Sequence, residues 1–502
     1  MKASPVEILL QTHIQIQRKS EISVYIQVAQ QLLEAIQRGS IANGEKMPGT
    51  RKMSTILNIH RNTVIAVYEE MAAQGFLEII PNKGSFVQFS EAKKNAIKAQ
   101  NPDETSKKRA GFLFETALHL KQDFSNSDTE ILLNEGKPDF ELIPIYEFTK
   151  QFKAAMQRKN LAEKWYNKEQ IPNAHFEKQL CNYLKISRGI SANPKMVLST
   201  RTPELSLYIT AQILIKKGQI VLVGTLSNPN VNMVFQQVGA TIKTIPQDEN
   251  GLDISYIAKK YKKGMIRAVY ISANNEYPTT VCWSDSRRLA LYELAKKYEF
   301  MLIESDYAFD YQYNGKPTLP MMHHDTHNLI VYLGSIGSGL FPTFESGFMV
   351  ATEDVIAEAQ NYLQLVDKQG DAIQKQVLSE ALFEGELQRR NNINNSIYQK
   401  RLDFLCMQLT HHFQNCLTFK KPKSGLALWI AFEPAISLLS FAKAAEKEGV
   451  YLPKELLFQN QSTCAIRLGF GQLTESKTKE LVQKLKIAYN KIIRKSGTQK
   501  QE

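Results

Sequence analysis

Residues 47–80 read MPGTRKMSTILNIHRNTVIAVYEEMAAQGFLEII. The stretch holds a short helix around 51–57, a turn at Asn58 and Ile59, and a longer helix over 61–73 that Gly75 closes. Val64, Val67, Tyr68 and Met71 recur at helical spacing and mark the buried face of the longer helix. Two helices joined by a tight turn, with basic and polar residues at the front of the second, form a helix-turn-helix.

Working outward, SVYIQVAQQLLEAIQRGSI at 23–41 places Tyr25, Val28, Leu32 and Ile36 three to four residues apart, with Gly39 as the stop. That pattern predicts an amphipathic first helix. Downstream, FLEIIPNKGSFVQF at 76–89 sets Pro81, Asn82, Lys83 and Gly84 between two β-prone runs, which predicts a wing. After about residue 88 the character changes. The first half of 90–121 is polar and lysine-rich, as a solvated tether would be.

Residues 23–87 resemble the winged helix-turn-helix domain of GntR-type bacterial repressors. The resemblance rests on Arg38, Gly39, Gly44, Met47, Pro48, Arg51, Arg61, Thr63, Val64, Tyr68 and Gly75, with Met47 where that family usually has leucine. It implies a double-stranded DNA operator as partner, approached by Arg51, Arg61 and Thr63, with Asn62 beside them and Lys83 and Gly84 at the wing tip near the minor groove. Physics supports those roles: cations and hydroxyls at the start of a recognition helix meet phosphates and base edges, and the helix N-terminus itself favours phosphate. His60 stands where a serine cap is usual, which weakens the cap by about 1 kcal/mol or adds a contact. The competing reading leaves Arg51 and Arg61 merely solvated.

At 502 residues the chain suits two unequal domains. Its formal charge of +12 favours a polyanionic partner without identifying one. Cys181, Cys282, Cys406, Cys416 and Cys464 lack metal-ligand spacing, so they read as reduced thiols and no metal is expected. No basic leader with a long apolar run and no stretch of bilayer length is present, so a soluble, cytoplasmic protein is expected, with no membrane partner.

The larger part alternates helical stretches with the short β-rich runs GQIVLVGTL, ATIKTIP, IRAVYIS and FMLIESDY, the pattern of an α/β fold with a mostly parallel sheet. With NEGKPDFELIP, CNYLKISRGI, MVLSTRTPELSLYI, NNEYPTT, LGSIGSGLFP, SGLALWI and AIRLGFG, these segments resemble the landmarks of fold-type I aminotransferases from about 130 to 490. A GntR-type winged helix joined to such a domain is the architecture of the MocR (GabR-like) regulators. The expected domains are 1–89 for DNA binding, 90–129 as linker, and 130–495 for effector sensing and dimerisation.

The resemblance implies pyridoxal phosphate, whose chemistry demands a lysine for the Schiff base and a carboxylate at the pyridine nitrogen. Carried over, the lysine position falls on Ser338, the carboxylate on Ser305 and the phosphate-binding arginine on Glu345. The glycine opening the phosphate cradle becomes Arg201, the stacking aromatic Ser227, and the glycine after proline-threonine Thr280. Tyr307 is retained for the ring oxygen and Arg467 for a substrate carboxylate, while Tyr277 joins the pocket residues. Arg467 reads equally well as a structural ion-pair partner. Arg201 and Glu345 are expected to pair across the vacated phosphate site. The sequence therefore points to a homodimeric DNA-binding transcriptional regulator with no catalytic residues, whose pocket takes a small-molecule effector without cofactor chemistry. The rival reading is a working pyridoxal phosphate-dependent aminotransferase with a DNA-binding appendage.

Overall fold

A computed structural model describes residues 14–20, 22–88, 129–157, 173–313, 318–339, 344–367 and 371–498, together with isolated positions between 6 and 10 and between 110 and 120. The tether expected over 90–129 lies mostly outside the described residues. The chain forms two compact units, Met1–Thr116 and Ala117–Glu502.

In the first unit, α1 (Val24–Gln37) starts at Ser23, whose hydroxyl accepts the Ile26 amide, and buries Val28, Leu32 and Ile36. Helix α2 (Thr50–Leu57) ends at Asn58, which adopts a left-handed conformation with φ of 50°. Asparagine tolerates that region, so the chain turns there without a glycine. Helix α3 (Arg61–Ala73) then buries Val64, Val67, Tyr68 and Met71. The Tyr68 hydroxyl donates to the Pro48 carbonyl at 2.8 Å and ties α3 to the start of α2. Strands β1 (Leu77–Ile80) and β2 (Gly84–Val87) pair antiparallel from Leu77↔Val87 to Ile80↔Gly84. Gly44 and Met47 donate to the Val87 and Ser85 carbonyls and extend this wing by a third short piece. Val6, Leu10 and Ile14, which precede the first helix of the winged-helix pattern, are buried in the same core.

The second unit is built on seven strands: β3 (Val197–Thr200), β4 (Ile220–Gly224), β5 (Thr241–Ile245), β6 (Ile266–Ile271), β7 (Met301–Ser305), β8 (Ile330–Ile336) and β9 (Ser346–Val350). Their order across the sheet is β3-β9-β8-β7-β6-β4-β5. Strands β5, β4, β6, β7 and β8 pair parallel, and β9 alone runs antiparallel to its neighbours β8 and β3. Near-continuous burial along β8 and β9 reflects cover on both faces, as parallel-type sheets require. Helices α4 (Asn173–Arg188), α5 (Pro203–Leu214), α6 (Ile254–Lys260), α7 (Asp285–Tyr298), α8 (Glu353–Val366) and α9 (Ala372–Phe383) accompany this sheet. A smaller antiparallel sheet holds β10 (Leu417–Thr418), β11 (Ala427–Phe432), β12 (Leu457–Gln459) and β13 (Cys464–Gly469) in the order β10-β11-β13-β12. The long helix α10 (Glu386–Phe413) and the final α11 (Glu475–Thr498) pack beside it, with Leu402, Leu405, Leu481 and Leu485 in one apolar core. Among the described residues no helix is long and apolar enough to cross a membrane, and no cluster of metal-ligating side chains occurs.

Candidate functional site

The first candidate surface is the front of α3. His60 caps the helix in extended geometry but its side chain bonds no helix amide, so the opening amides of α3 are not met by a side chain. Arg61 and Asn62 are exposed in the first turn, Thr63 is half-buried behind them, and Arg51 and Lys52 are exposed on α2. Arg61 Nε donates to Thr50 Oγ1 at 3.3 Å, which holds the guanidinium beside α2. At the wing, Asn82 (φ 61°) and Gly84 (φ 119°) make a turn that leaves Lys83 exposed. A Cβ on Gly84 would come within 3.0 Å of Lys46 Cε, so the glycine lets Lys46 lie across the wing. Arg18 Nη2 donates to the Asn58 carbonyl at 2.7 Å. Lys46 and Arg18 thus add cations to this face. Sequence reading missed both, because nothing in their spacing announced a pairing with the wing or the turn.

The second candidate lies where α5 begins and where β3, β7 and β8 end, the edge at which open parallel sheets place ligands. Ser338, just past β8, is buried, and its Oγ accepts from the Tyr311 hydroxyl at 2.8 Å. Ser305 ends β7 and is buried. The next carboxylate, Asp306, is turned to Asn274 Nδ2 at 2.8 Å and Tyr332 Oη at 2.9 Å. Tyr307 donates to the Pro203 carbonyl at 3.1 Å, in the first turn of α5. Burial pushes its phenol well above the ordinary range, and Tyr270, Glu204 and Glu345 act in the same direction.

Glu345 is half-buried. Burial pushes its carboxyl up to about 6; a hydrogen bond from Ser335 opposes the shift, while the Glu204 and Asp310 carboxylates add to it. The expected ion pair to Arg201 is not formed. Arg201 instead pairs with Asp367 at 2.8 Å and Asp371 at 3.8 Å, with 47% of its side chain exposed. The physical reason is that two carboxylates beside α8 and α9 offer a solvated partner, so Arg201 avoids the cost of entering the half-buried site.

Ser227 accepts from Asn232 Nδ2 at 2.8 Å. Arg467, on β13, is nearly buried: Nε donates to the Glu135 carbonyl at 3.1 Å, Nη1 to the Pro278 carbonyl at 2.8 Å, and the guanidinium lies 4.9 Å from the Tyr277 ring centroid. The Tyr277 hydroxyl is buried without a hydrogen-bond partner among the described residues. Thr280 is buried at φ 60°, a left-handed backbone that a β-branched residue adopts only under strain. The structure therefore brings Ser338, Ser305, Tyr307 and Glu345 to one edge and gathers Tyr277 and Arg467 together, while Arg201 turns away to the acids beside α8 and α9.

A winged helix-turn-helix with an exposed basic front, in one chain with an α/β unit of this topology, defines a DNA-binding protein with an aminotransferase-type second unit. Residues 24–87 match the family described as bacterial regulatory proteins, gntR family, and residues 128–485 match aminotransferase class I and II. The chain belongs to the aminotransferase class I and II family, in the MocR-type branch in which a GntR helix-turn-helix precedes that domain. It is similar to the HTH-type transcriptional regulator YdeL of Bacillus subtilis (strain 168), 23% identical over 480 residues covering 94% of this chain and 98% of that protein. It is also similar to the probable rhizopine catabolism regulatory protein MocR of Rhizobium meliloti, 22% identical over 493 residues covering 94% and 95%. The crystal structure of a Pyrococcus horikoshii kynurenine aminotransferase shares the fold, with a TM-score of 0.67 and 21% identity, covering 75% of this chain and 97% of that one.

Proposed function

We propose that this chain is a homodimeric transcriptional regulator that binds an operator through α3 and the wing and senses a small molecule at the strand-end pocket without forming an imine. The observation that carries the reading is the front of α3: Arg61 and Asn62 exposed at a helix start with no side-chain cap, beside Arg51, in a chain whose full-length relatives are helix-turn-helix regulators. Lys83, Gly84, His60 and Thr63 complete that face. Relatives of this aminotransferase fold associate as dimers, and a dimer presents two winged helices to one operator.

The pocket fits pyridoxal phosphate poorly. In the carry-over from the family, Ser338 takes the place of the imine-forming lysine, and a serine hydroxyl engaged by Tyr311 forms no imine. Glu345 sets a carboxylate where the cofactor's phosphate is held, with Glu204 nearby. Like charges at that spot repel a dianion. Ser305 offers the pyridine nitrogen no carboxylate, and Asp306 is committed to Asn274 and Tyr332. These features favour the regulator over a working aminotransferase. The test is selection of genomic fragments on the purified full-length chain. Enrichment of one sequence motif is expected, and recovery of random fragments would contradict the proposal.

A further inference from the structure

From residue 1 to 88 the winged helix and its N-terminal segment carry nine cations, Arg18 included, against seven acids. That unit contributes little of the chain's +12. Affinity for duplex DNA is dominated by phosphate neutralisation, so a nearly balanced reading head leaves most of the electrostatic work to another surface.

The second unit has such a surface, at the edge of the main sheet opposite the strand ends that carry Ser305 and Ser338. The turns that feed β4, β6 and β7 come together there: Gly218 donates to the Gly239 carbonyl at 2.8 Å, Gly264 to the Tyr298 carbonyl at 3.2 Å, and Arg267 Nε to the Leu214 carbonyl at 2.7 Å. These turns expose Lys216, Lys217, Lys262 and Lys263, Arg267 is exposed at the start of β6, and the last turns of α6 and α7 add Lys259, Lys260, Lys296 and Lys297. Lys263 pairs with Glu299 at 2.6 Å. Lys216, Lys217, Lys259, Lys262, Lys296 and Lys297 have no ion-pair partner among the described residues.

Cations at helix C-termini offset the helix dipole, and that accounts for the four lysines in the last turns of α6 and α7. Lys216, Lys217 and Lys262 directly follow the C-caps Ile215 and Tyr261 and share that role, but the dipole gives no reason for the C-termini of α5, α6 and α7 to crowd their cations onto one edge. We infer that this lysine-rich edge of the aminotransferase-type unit is a second DNA surface, binding phosphates of duplex beyond the base pairs read by α3 without regard to sequence. The inference rests on the DNA-binding reading and extends it to the unit that carries the pocket.

The test compares full-length wild type with the combined variant Lys216→Gln, Lys217→Gln, Lys262→Gln on duplexes of about 20 and about 60 base pairs that each carry the selected sequence motif, over about 50 to 200 mM salt. The variant should lose affinity for the longer duplex by on the order of tenfold at the lower salt, with a salt dependence shallower by roughly 0.9 for each phosphate that is no longer neutralised. Binding to the short duplex should change little, and the matching Lys→Arg variant should restore wild-type behaviour. Equal affinity and equal salt slope in wild type and the glutamine variant, with Arg61→Ala still weakening both duplexes, would overturn this inference alone. Wild type that binds neither duplex would overturn it together with the DNA-binding reading.

Discussion

Glu345 carries a penalty whose pH dependence can be read. Its folded value of about 6 lies above the ordinary 4.5, so the folded state holds the proton more tightly. Stability then falls as pH rises through about 4.5 to 6, and below that window both states are protonated and no penalty remains. Glu345→Gln should therefore stabilise the protein by up to about 2 kcal/mol at pH 7 and by nothing near pH 4, as urea unfolding at the two pH values would record. Arg201 behaves differently because it is half-exposed: Arg201→Ala should cost under about 1 kcal/mol, and a double-mutant cycle with Glu345 should show no coupling. The residue types at 201 and 345 stand in the sequence, but the direction in which Arg201 turns does not. Asp367 and Asp371 are distant in the chain, and no local pattern ties them to position 201. Thr280 records the converse, since the backbone keeps φ 60° with no glycine to occupy it. Thr280→Gly should stabilise the protein modestly, by up to about 1 kcal/mol in a urea titration, because relief of strain outweighs the greater freedom of the unfolded chain.

Among the elements, the helix-turn-helix is the part that sequence reading reached most fully. The longer helix expected over 61–73 is α3 at Arg61–Ala73, because Val64, Val67, Tyr68 and Met71 face one core and Asn58 can turn left-handed. The four β-rich runs likewise became β4, β5, β6 and β7: β4, β6 and β7 are apolar runs largely buried within the sheet, while β5 is its edge strand with Lys243 and Thr244 exposed. The segment around Val6, Leu10 and Ile14 was not legible: its apolar residues precede the winged-helix pattern, and only the folded core shows where they go. Leu10 is fully buried, so Leu10→Ala should destabilise the winged helix by about 2–5 kcal/mol in an unfolding titration. A change under about 0.5 kcal/mol would show that this segment is dispensable. On the reading face, Arg61→Ala should weaken binding to a selected fragment by about 1–3 kcal/mol with the fold intact, measured by titration of labelled duplex.

At the scale of the molecule, a DNA-reading head is joined to a second unit with the aminotransferase architecture. The architecture was legible because it depends on burial patterns spread over hundreds of residues. The chemistry is an expectation carried position by position to Ser338, Ser305 and Glu345, and it rests on the family resemblance. Whether another lysine has taken over the imine is a question for the whole chain. Lys375 on α9 is the group to watch, being nearly buried with its ammonium shifted down by burial against the opposing pull of Glu177, Asp367 and Asp371. Incubating the purified full-length protein with pyridoxal phosphate, reducing it with borohydride and mapping the products by mass spectrometry addresses that question directly. The account predicts no stoichiometric adduct on any single lysine, and one adduct per chain at a defined lysine, Lys375 included, would contradict it.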